Sequence, residues 1–138
     1  MQLDYLSIQI GQTPPEIEGD APFKCILVVN GKAQEAWRGT ISQWLVSAGC
    51  LYLMVWGEDA EVWHDGVDQA HLKEFDFGDV PDDRFVMTTW HDNESLEDVM
   101  FFAKFAAMHP TIELSRLLVL DVGHTGRSDM FAELLASA

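Results

Sequence analysis

The chain contains few cations. Its 138 residues include 8 Lys and Arg against 23 Asp and Glu, which gives a formal net charge of −15 at pH 7. Non-specific binding to nucleic acid requires Lys and Arg, because these residues displace counterions from the phosphates. Attraction to an anionic membrane surface requires them too. We therefore expect neither a nucleic acid nor a membrane among the partners.

Cysteines and long apolar runs are also scarce. Cys25 and Cys50 are too few for a disulfide framework, and we predict that both are buried, reduced thiols. No run approaches the roughly 18–20 apolar residues of a membrane span. The first five residues, Met-Gln-Leu-Asp-Tyr, lack the basic and apolar parts of a secretory signal. These absences predict a cytoplasmic protein.

Motifs for nucleophilic catalysis are missing as well. The sequence has no Gly-x-Ser-x-Gly elbow and no Cys-x-x-Cys pair. The loop from Gly123 to Ser128 stands where a phosphate loop belongs, but it lacks the lysine and the full glycine spacing. We predict no catalytic residue, no metal and no cofactor, and favour a protein that is not an enzyme.

Apolar residues, by contrast, make up 48% of the chain, enough for one core. Four segments are almost continuously apolar, which is typical of strands buried on both faces of a parallel sheet. Residues 3–10 alternate and are the candidate for an additional edge strand. The four predicted strands are Phe23–Val29, Leu51–Trp56, Phe85–Trp90 and Leu117–Val122.

Helical periodicity fills the gaps between these strands. Apolar residues recur at helical spacing over 33–48, ending at Gly49, and again over 96–107. Ser95 begins a capping box for the second helix, and Asp92 and Asn93 are alternative caps. Ser128 is predicted to cap a final helix. Residues 58–75 are predicted to form only one or two short helical turns, because Gly66 weakens a helix by roughly 1 kcal/mol.

Strands that alternate with helices predict an α/β fold. The expected architecture is a three-layer sandwich around a mostly parallel, four-stranded sheet with right-handed crossovers. Residues 1–22 are assigned to an N-terminal edge strand and a connector, and residues 23–138 to a single α/β domain. The sequence does not fix the strand order or the oligomeric state.

Negative charge is concentrated in one part of the chain. Residues 58–98 carry fourteen carboxylates and two cations, Lys73 and Arg84, for a net charge of −12 in 41 residues. Crowded carboxylates repel one another and destabilise a fold unless a cation meets them. This pattern predicts a binding site for a basic protein.

The leading functional hypothesis is therefore a small, acidic, non-catalytic binding module, of the kind that an immunity protein or antitoxin uses to mask a basic partner. The acidic residues are expected to steer the approach of the partner, and one aromatic residue, Trp63 or Phe77, to serve as an anchor. The residues predicted to bind the partner are Asp59, Glu61, Trp63, Asp65, Phe77, Asp79, Asp82 and Asp83.

The alternative hypothesis is a metal-binding or hydrolytic enzyme. Ligands of open α/β sheets bind beyond the carboxyl ends of the strands, and a group of imidazoles and carboxylates is predicted there. Two imidazoles and two carboxylates at such a rim are suited to hold a divalent metal or to act as a base with an orienting partner. The candidates are His91, Asp92, Asp121 and His124.

Two tripeptides repeat, Trp63-His64-Asp65 and Trp90-His91-Asp92, and the second ends the run Val-Met-Thr-Thr-Trp-His-Asp. Together with Trp56-Gly57-Glu58-Asp59, this run resembles an uncharacterised family of small bacterial proteins, a domain of unknown function. The resemblance extends over roughly residues 23–136. It implies a bacterial protein with one domain, and it implies no activity and no catalytic residue.

Overall fold

The computed structural model describes residues 1–19 and 21–138, which form an α/β fold. In chain order the strands are β1 (Gln2–Ile8), β2 (Phe23–Val29), β3 (Cys50–Gly57), β4 (Met87–Trp90) and β5 (Arg116–Val122). The helices are α1 (Glu35–Ala48), α2 (Ala60–Glu74), α3 (Leu96–Phe105) and α4 (Ser128–Ser137), with a short 3₁₀ turn at Asp82–Arg84.

The strands form one parallel sheet in the order β1-β5-β2-β3-β4. The sheet therefore has five strands, not the expected four. The additional strand is the N-terminal one, which pairs with β5 over its whole length, from Gln2 opposite Arg116 to Ile8 opposite Val122. Because β1 and β4 end the order, they are the two edge strands.

Alternate residues of the central strand β2 enter two separate hydrophobic clusters. Cys25, Leu27 and Val29 belong to one cluster, and Ile26 and Val28 to the other. The helices divide in the same way, so that apolar helical faces cover both sides of the sheet. The first cluster includes Ile41 and Leu45 of α1 with Trp63 and Val67 of α2, and the second includes Val99 and Met100 of α3 with Phe131 of α4.

Helix α2 is continuous over 15 residues, so the prediction of one or two short turns was wrong. It packs against α1, β3 and β4. Trp63, Val67 and Ala70 are buried on that packed face. Each large apolar side chain that is fully buried contributes roughly 1.5–3 kcal/mol, which outweighs the roughly 1 kcal/mol that Gly66 costs the helix.

Strand β4 is shorter than predicted, because Phe85 and Val86 do not pair with β3. The chain enters β4 from the 3₁₀ turn, and the carbonyl oxygen of Phe85 accepts a hydrogen bond from His109 Nε2 at 2.7 Å. That bond ties the start of the segment to the loop after α3. Only four residues remain for the edge strand.

The helix ends test the capping predictions. Ser95 Oγ accepts the amide of Asp98 at 3.1 Å, which confirms the cap of α3. Gly49 follows α1 with φ +102°, and its amide bonds to the carbonyls of Leu45 and Val46. Ser128 does not cap α4, since it is the first helical residue and Arg127 occupies the capping position.

Both cysteines are buried free thiols, as expected. Burial is the main cause that raises the pKa of the Cys50 thiol to about 12, so this sulfur stays protonated at neutral pH. None of the helices in the described segments is both long and apolar enough to span a bilayer.

Candidate functional site

The strand order separates the four residues predicted at the rim. His91 and Asp92 follow β4, whereas Asp121 belongs to β5 and His124 follows it. Strands β2 and β3 lie between β4 and β5, which places the two pairs about 14 Å apart at the usual strand spacing. Over residues 1–19 and 21–138, no group of three or more His, Cys, Asp or Glu side chains is arranged to hold a metal ion.

Asp121 is fully buried and its carboxylate accepts four hydrogen bonds. Tyr5 Oη donates at 2.6 Å and Asn30 Nδ2 at 2.8 Å. Arg127 donates twice, from Nε at 2.9 Å and from Nη2 at 2.5 Å. Because Tyr5, Asn30 and Arg127 come from three different parts of the chain, this carboxylate ties β1, β2 and the start of α4 to β5.

The charge of Asp121 is matched within the fold. Burial by itself would raise the pKa of Asp121, but hydrogen bonds from Arg127, Tyr5 and Asn30 outweigh burial and lower the pKa. The same contact raises the pKa of Arg127. The pair lies where β5 meets β2, the position at which open α/β sheets often bind ligands. Here the position is filled by a satisfied ion pair that holds the structure together.

Two more of the four rim candidates, His124 and Asp92, lie at the surface. Both side chains are exposed, and His124 Nδ1 lies 2.9 Å from the carbonyl oxygen of the next residue, Thr125. The structure does not bring either residue into a common cluster with Asp121. His91 differs from them because it is buried and belongs to a different network on β4.

Strand β4 carries a hydroxyl group on each face, and each hydroxyl meets a histidine. On the face toward α2, Thr88 Oγ1 lies 2.9 Å from His64 Nε2 and donates to Asp68 Oδ1 at 2.7 Å. A hydroxyl has one proton, so His64 Nε2 must be the donor to Thr88. His64 consequently cannot act as a base toward this hydroxyl, and the contacts instead fix the position of α2 against β4.

On the opposite face, Thr89 Oγ1 lies 2.8 Å from His91 Nε2, and His91 Nδ1 lies 2.5 Å from Glu94 Oε2. The His91 ring also packs edge-on against Phe102 of α3, with 5.0 Å between ring centroids. Hydroxyl, imidazole and carboxylate therefore follow one another in the order of a nucleophile, a base and an orienting acid. Both histidine nitrogens are engaged, which leaves neither for a metal.

The residues predicted to bind a partner divide into surface and core positions. Asp59, Glu61 and Asp65 are exposed at the start of α2 and along it. Asp79, Asp82 and Asp83 are exposed in the segment before β4. Phe77 lies in the same segment and is 62% exposed.

Trp63 is the exception among these eight residues. It is 1% exposed and packs edge-on against Trp37 of α1, with 6.0 Å between ring centroids. A partner cannot reach it in this fold. Two exposed aromatic residues beside β4, Phe85 at 45% and Trp90 at 42%, were not predicted to bind a partner.

The exposed carboxylates between residues 58 and 98 form what we call the β4-side acidic surface. They lie at the start of α2 and along it, on the segment before β4, on the turn after β4 and at the start of α3. Two of them are directed toward α1, since Asp65 lines a groove between α1 and α2 and Glu74 accepts a hydrogen bond from Gln43 Nε2. The thirteen exposed members of this surface are Glu58, Asp59, Glu61, Asp65, Glu74, Asp76, Asp79, Asp82, Asp83, Asp92, Glu94, Glu97 and Asp98. They extend along α2, a distance of about 22 Å for a helix of this length.

Cations do not neutralise the β4-side acidic surface. In the part of the chain that the structure describes, the ion pairs of Lys and Arg within 4.0 Å are Arg116 with Asp4 and Arg127 with Asp121. Both pairs lie outside residues 58–98. Within this region, Arg84 sits over the ring of Phe75 at 5.0 Å, and carboxylates lie within ion-pair distance of His64 and His91.

A cavity of about 430 Å³ opens beside β4. Leu72, Val80, Phe85 and Met87 give it apolar walls, and Asp68, His71 and Thr88 contribute polar groups. His71 is 5% exposed, and its Nε2 atom is buried without a hydrogen-bond partner in the described chain. Burial lowers the pKa of His71, an effect opposed by the backbone of Arg84 and by Asp68 and Glu74.

Sequence reasoning missed the contacts of His64 with Thr88 and Asp68. One signal was available, the repeated tripeptide Trp-His-Asp, because the structure brings the two copies together. The His64 ring packs against Trp90 with 4.6 Å between centroids. Residues 24 and 20 positions apart form the hydrogen bonds to Thr88, and such pairs depend on tertiary packing rather than on local pattern.

A family model with the description "Domain of unknown function (DUF7684)" matches residues 3–138. No curated protein and no solved structure matches the chain.

Proposed function

We propose, for a chain that belongs to this family of unknown function, that it is a non-catalytic module that binds a basic protein through the β4-side acidic surface. The observation that carries the proposal is that these carboxylates are exposed and that, among the described residues, no Lys or Arg forms an ion pair with them. Carboxylates that no Lys or Arg neutralises repel one another, and a cationic partner removes that repulsion on binding.

Exposed aromatic and apolar residues within the same surface support the proposal. Phe77, Phe85 and Trp90 are exposed in the same part of the chain as the carboxylates, and Leu72 of α2, which lines the cavity beside β4, is 38% exposed. Binding interfaces combine apolar or aromatic anchors with a polar rim, and the anchors contribute most of the binding energy. The carboxylates then supply the long-range attraction that accelerates association.

In its finer form, the proposal describes a bacterial, cytoplasmic immunity protein or antitoxin. A nuclease toxin binds phosphates through a basic surface, and a carboxylate-rich protein of this size is suited to cover such a surface. The partner class is thus a basic, nucleic-acid-cleaving protein. Binding would be rapid at low salt and slower as salt screens the attraction.

The test is affinity capture of the full-length chain from the organism that encodes it, followed by reconstitution of each captured protein with purified components. The proposal predicts a partner with an isoelectric point above 9 and an association rate that falls as NaCl rises. The matched variant carries Asp79→Asn, Asp82→Asn and Asp83→Asn, which remove three exposed charges from the segment before β4.

The variant should capture less of the same partner at equal expression. A partner whose capture and association rate are the same for the variant and for the native chain, at every salt concentration, contradicts the proposal. So does a set of reconstituted partners that are acidic or neutral.

The second candidate is a hydrolytic enzyme, favoured by one observation, the order Thr89, His91, Glu94 on β4. If Thr89 is a nucleophile, Thr89→Val abolishes turnover of activated esters, whereas His124→Ala and Asp92→Asn leave it unchanged. Equal rates for Thr89→Val and the native chain with p-nitrophenyl esters of short and long acids would remove this candidate.

A further inference from the structure

Strand β4 leaves one of its hydrogen-bonding sides without a partner. It ends the sheet order, so β3 is its only neighbour among the described strands. The amide of His91 donates to the carbonyl of Val55 at 2.9 Å, and Trp90 is the residue opposite Val55. In a parallel ladder the residues alternate, so Thr89 and His91 direct their backbone groups toward β3, and Thr88 and Trp90 direct theirs outward.

The side chains beside this free edge alternate in a way that suits an added strand. Thr88 and Trp90 point toward the α2 face, because Thr88 contacts His64 and Asp68 and Trp90 packs against His64. The cavity of about 430 Å³ lies next to Thr88 on the same edge. A strand paired with β4 would place one side chain of every two on that face, within reach of the cavity and of Asp68.

The negative charge around the β4 edge indicates which kind of segment binds there. Carboxylates lie on both faces of β4, because Asp68 of α2 accepts a hydrogen bond from Thr88 on one face and Glu94 contacts His91 on the other. A second copy of the chain would bring the same carboxylates against one another, since its net charge is also −15. Carboxylates near an exposed edge are also a recognised protection against self-pairing. An extended segment with regularly spaced cations meets no such repulsion.

We propose that β4 is a docking edge for an extended basic segment of the partner, which pairs with the backbone of Thr88 and Trp90 and inserts an apolar side chain into the cavity lined by Leu72, Val80, Phe85 and Met87. This inference rests on the proposed function, because it specifies how the basic partner is recognised. Backbone hydrogen bonds contribute affinity in this mode, and the pocket for alternate side chains contributes selectivity.

The polar groups at the edge fit this occupant. Asp68 is half-exposed and already accepts the Thr88 hydroxyl, so one of its oxygens is available to a Lys or Arg of the added strand.

The probe is a synthetic, end-capped peptide of nine residues that alternates Lys with Val and has Phe at its centre. We expect it to bind the full-length chain with an affinity that fluorescence anisotropy measures at 50 mM NaCl. The same peptide with N-methyl groups on alternate backbone amides keeps its charge and side chains but cannot form the edge hydrogen bonds. We expect the methylated peptide to bind about tenfold or more weakly, since several net hydrogen bonds are lost.

A matched pair of protein variants tests the same hydrogen bonds from the other side. Thr88→Val and Thr88→Pro both lose the hydroxyl group, but only Thr88→Pro loses the outward N–H. Proline is tolerated on an edge strand where the N–H faces solvent. The proline variant should bind the unmethylated peptide several-fold more weakly than the valine variant, with circular dichroism spectra that confirm equal folding.

Hydrogen exchange provides a readout that does not depend on a variant. The amides of Thr88 and Trp90 should exchange at least tenfold more slowly with the peptide bound, whereas that of Thr89, already directed toward β3, should change less. Equal binding of methylated and unmethylated peptides, with no new protection at Thr88 and Trp90, overturns the docking edge.

The outcomes also distinguish this inference from the proposed function. If a basic protein binds with a salt-dependent rate, the proposed function stands. If, in addition, methylation does not weaken binding of the peptide and the Thr88→Pro variant binds the peptide as tightly as Thr88→Val, the docking edge is overturned. If neither the peptide nor any basic protein binds, both fail.

Discussion

Negative charge has opposite environments in two regions of the molecule. Asp121, between β5 and β2, is buried, and Arg127 neutralises it within the fold. The β4-side acidic surface, two strands beyond β2, is exposed and has no Lys or Arg partner in the described ranges. The same residue type therefore serves the stability of the fold in one region and remains available for a partner in the other.

This difference is the basis of our proposal that the exposed carboxylates are the ones that meet a partner. A carboxylate that accepts four hydrogen bonds, as Asp121 does, has little capacity left for a ligand. The exposed carboxylates around β4 retain that capacity. Position at the sheet rim alone, which made Asp121 and His124 candidates, did not distinguish the two cases.

The largest expected effect comes from breaking the paired region. Asp121→Asn leaves Arg127 partly buried without its counter-charge, and we expect a loss of about 3 kcal/mol in the free energy of unfolding. Urea unfolding monitored by circular dichroism measures it. The control, Asp92→Asn, changes an exposed residue of the other region and should stay within about 0.5 kcal/mol. If Asp121→Asn and Asp92→Asn lowered the free energy of unfolding equally, the contrast between the two regions would be contradicted.

The pH dependence of the same variant sharpens the contrast. The pKa of Asp121 is lowered in the fold, so its contribution to stability is present above the ordinary aspartate value of 3.8 and is lost as pH falls through the lower folded value. The stability difference between the native chain and Asp121→Asn should stay constant from pH 8 to pH 5. It should shrink only below pH 4, in urea titrations at each pH. A difference that shrinks between pH 7 and pH 5 would contradict the assignment.

A smaller effect is expected at the hydrogen bonds that hold α2 to β4. Thr88→Val removes the hydroxyl that contacts His64 and Asp68, and should lower the free energy of unfolding by about 1 kcal/mol. Thr40→Val is the matched control, because the Thr40 hydroxyl is exposed and bonds only to the Ala36 carbonyl of its own helix. A larger loss for Thr40→Val would show that these contacts do not secure α2.

The smallest effect, and one of opposite sign, is expected in the unpaired region. The triple variant carries Asp79→Asn, Asp82→Asn and Asp83→Asn, which relieve the repulsion between carboxylates. Its Tm should be about 2 °C higher than that of the native chain at low salt. The gain should disappear in 0.5 M NaCl, where screening already removes the repulsion. Thermal unfolding of both proteins at the two salt concentrations is the measurement. A lower Tm for the triple variant would mean that these carboxylates have partners in the fold.

Much of the fold was predictable, because hydrophobic patterns report burial directly. The run Phe23–Val29 is β2 to the residue, since a strand buried on both faces needs no polar alternation. Helix α2 was underestimated because Gly66 carries a local cost while the packing of Trp63 and Val67 against α1 and the sheet is not visible locally. The fifth strand was a candidate only, since β1 is half-buried and its pattern is weaker.

The candidate site was less predictable, because it depends on strand order. The sequence correctly concentrates charge in residues 58–98, but it does not show that β4 lies at an edge. Strand order also decides that His91 and His124 are far apart, although both follow strands. Trp63 was chosen as an anchor because a Trp beside His and Asp resembles a binding surface, whereas the period of α2 places it in the core.

The most direct test of the central claim is the association rate constant between the full-length chain and the basic protein that it captures, measured by stopped-flow fluorescence from 20 to 500 mM NaCl. The account predicts a rate that falls steeply with salt, and a shallower slope for the variant with Asp79→Asn, Asp82→Asn and Asp83→Asn. A rate that is independent of salt, and equal for the variant, would contradict it.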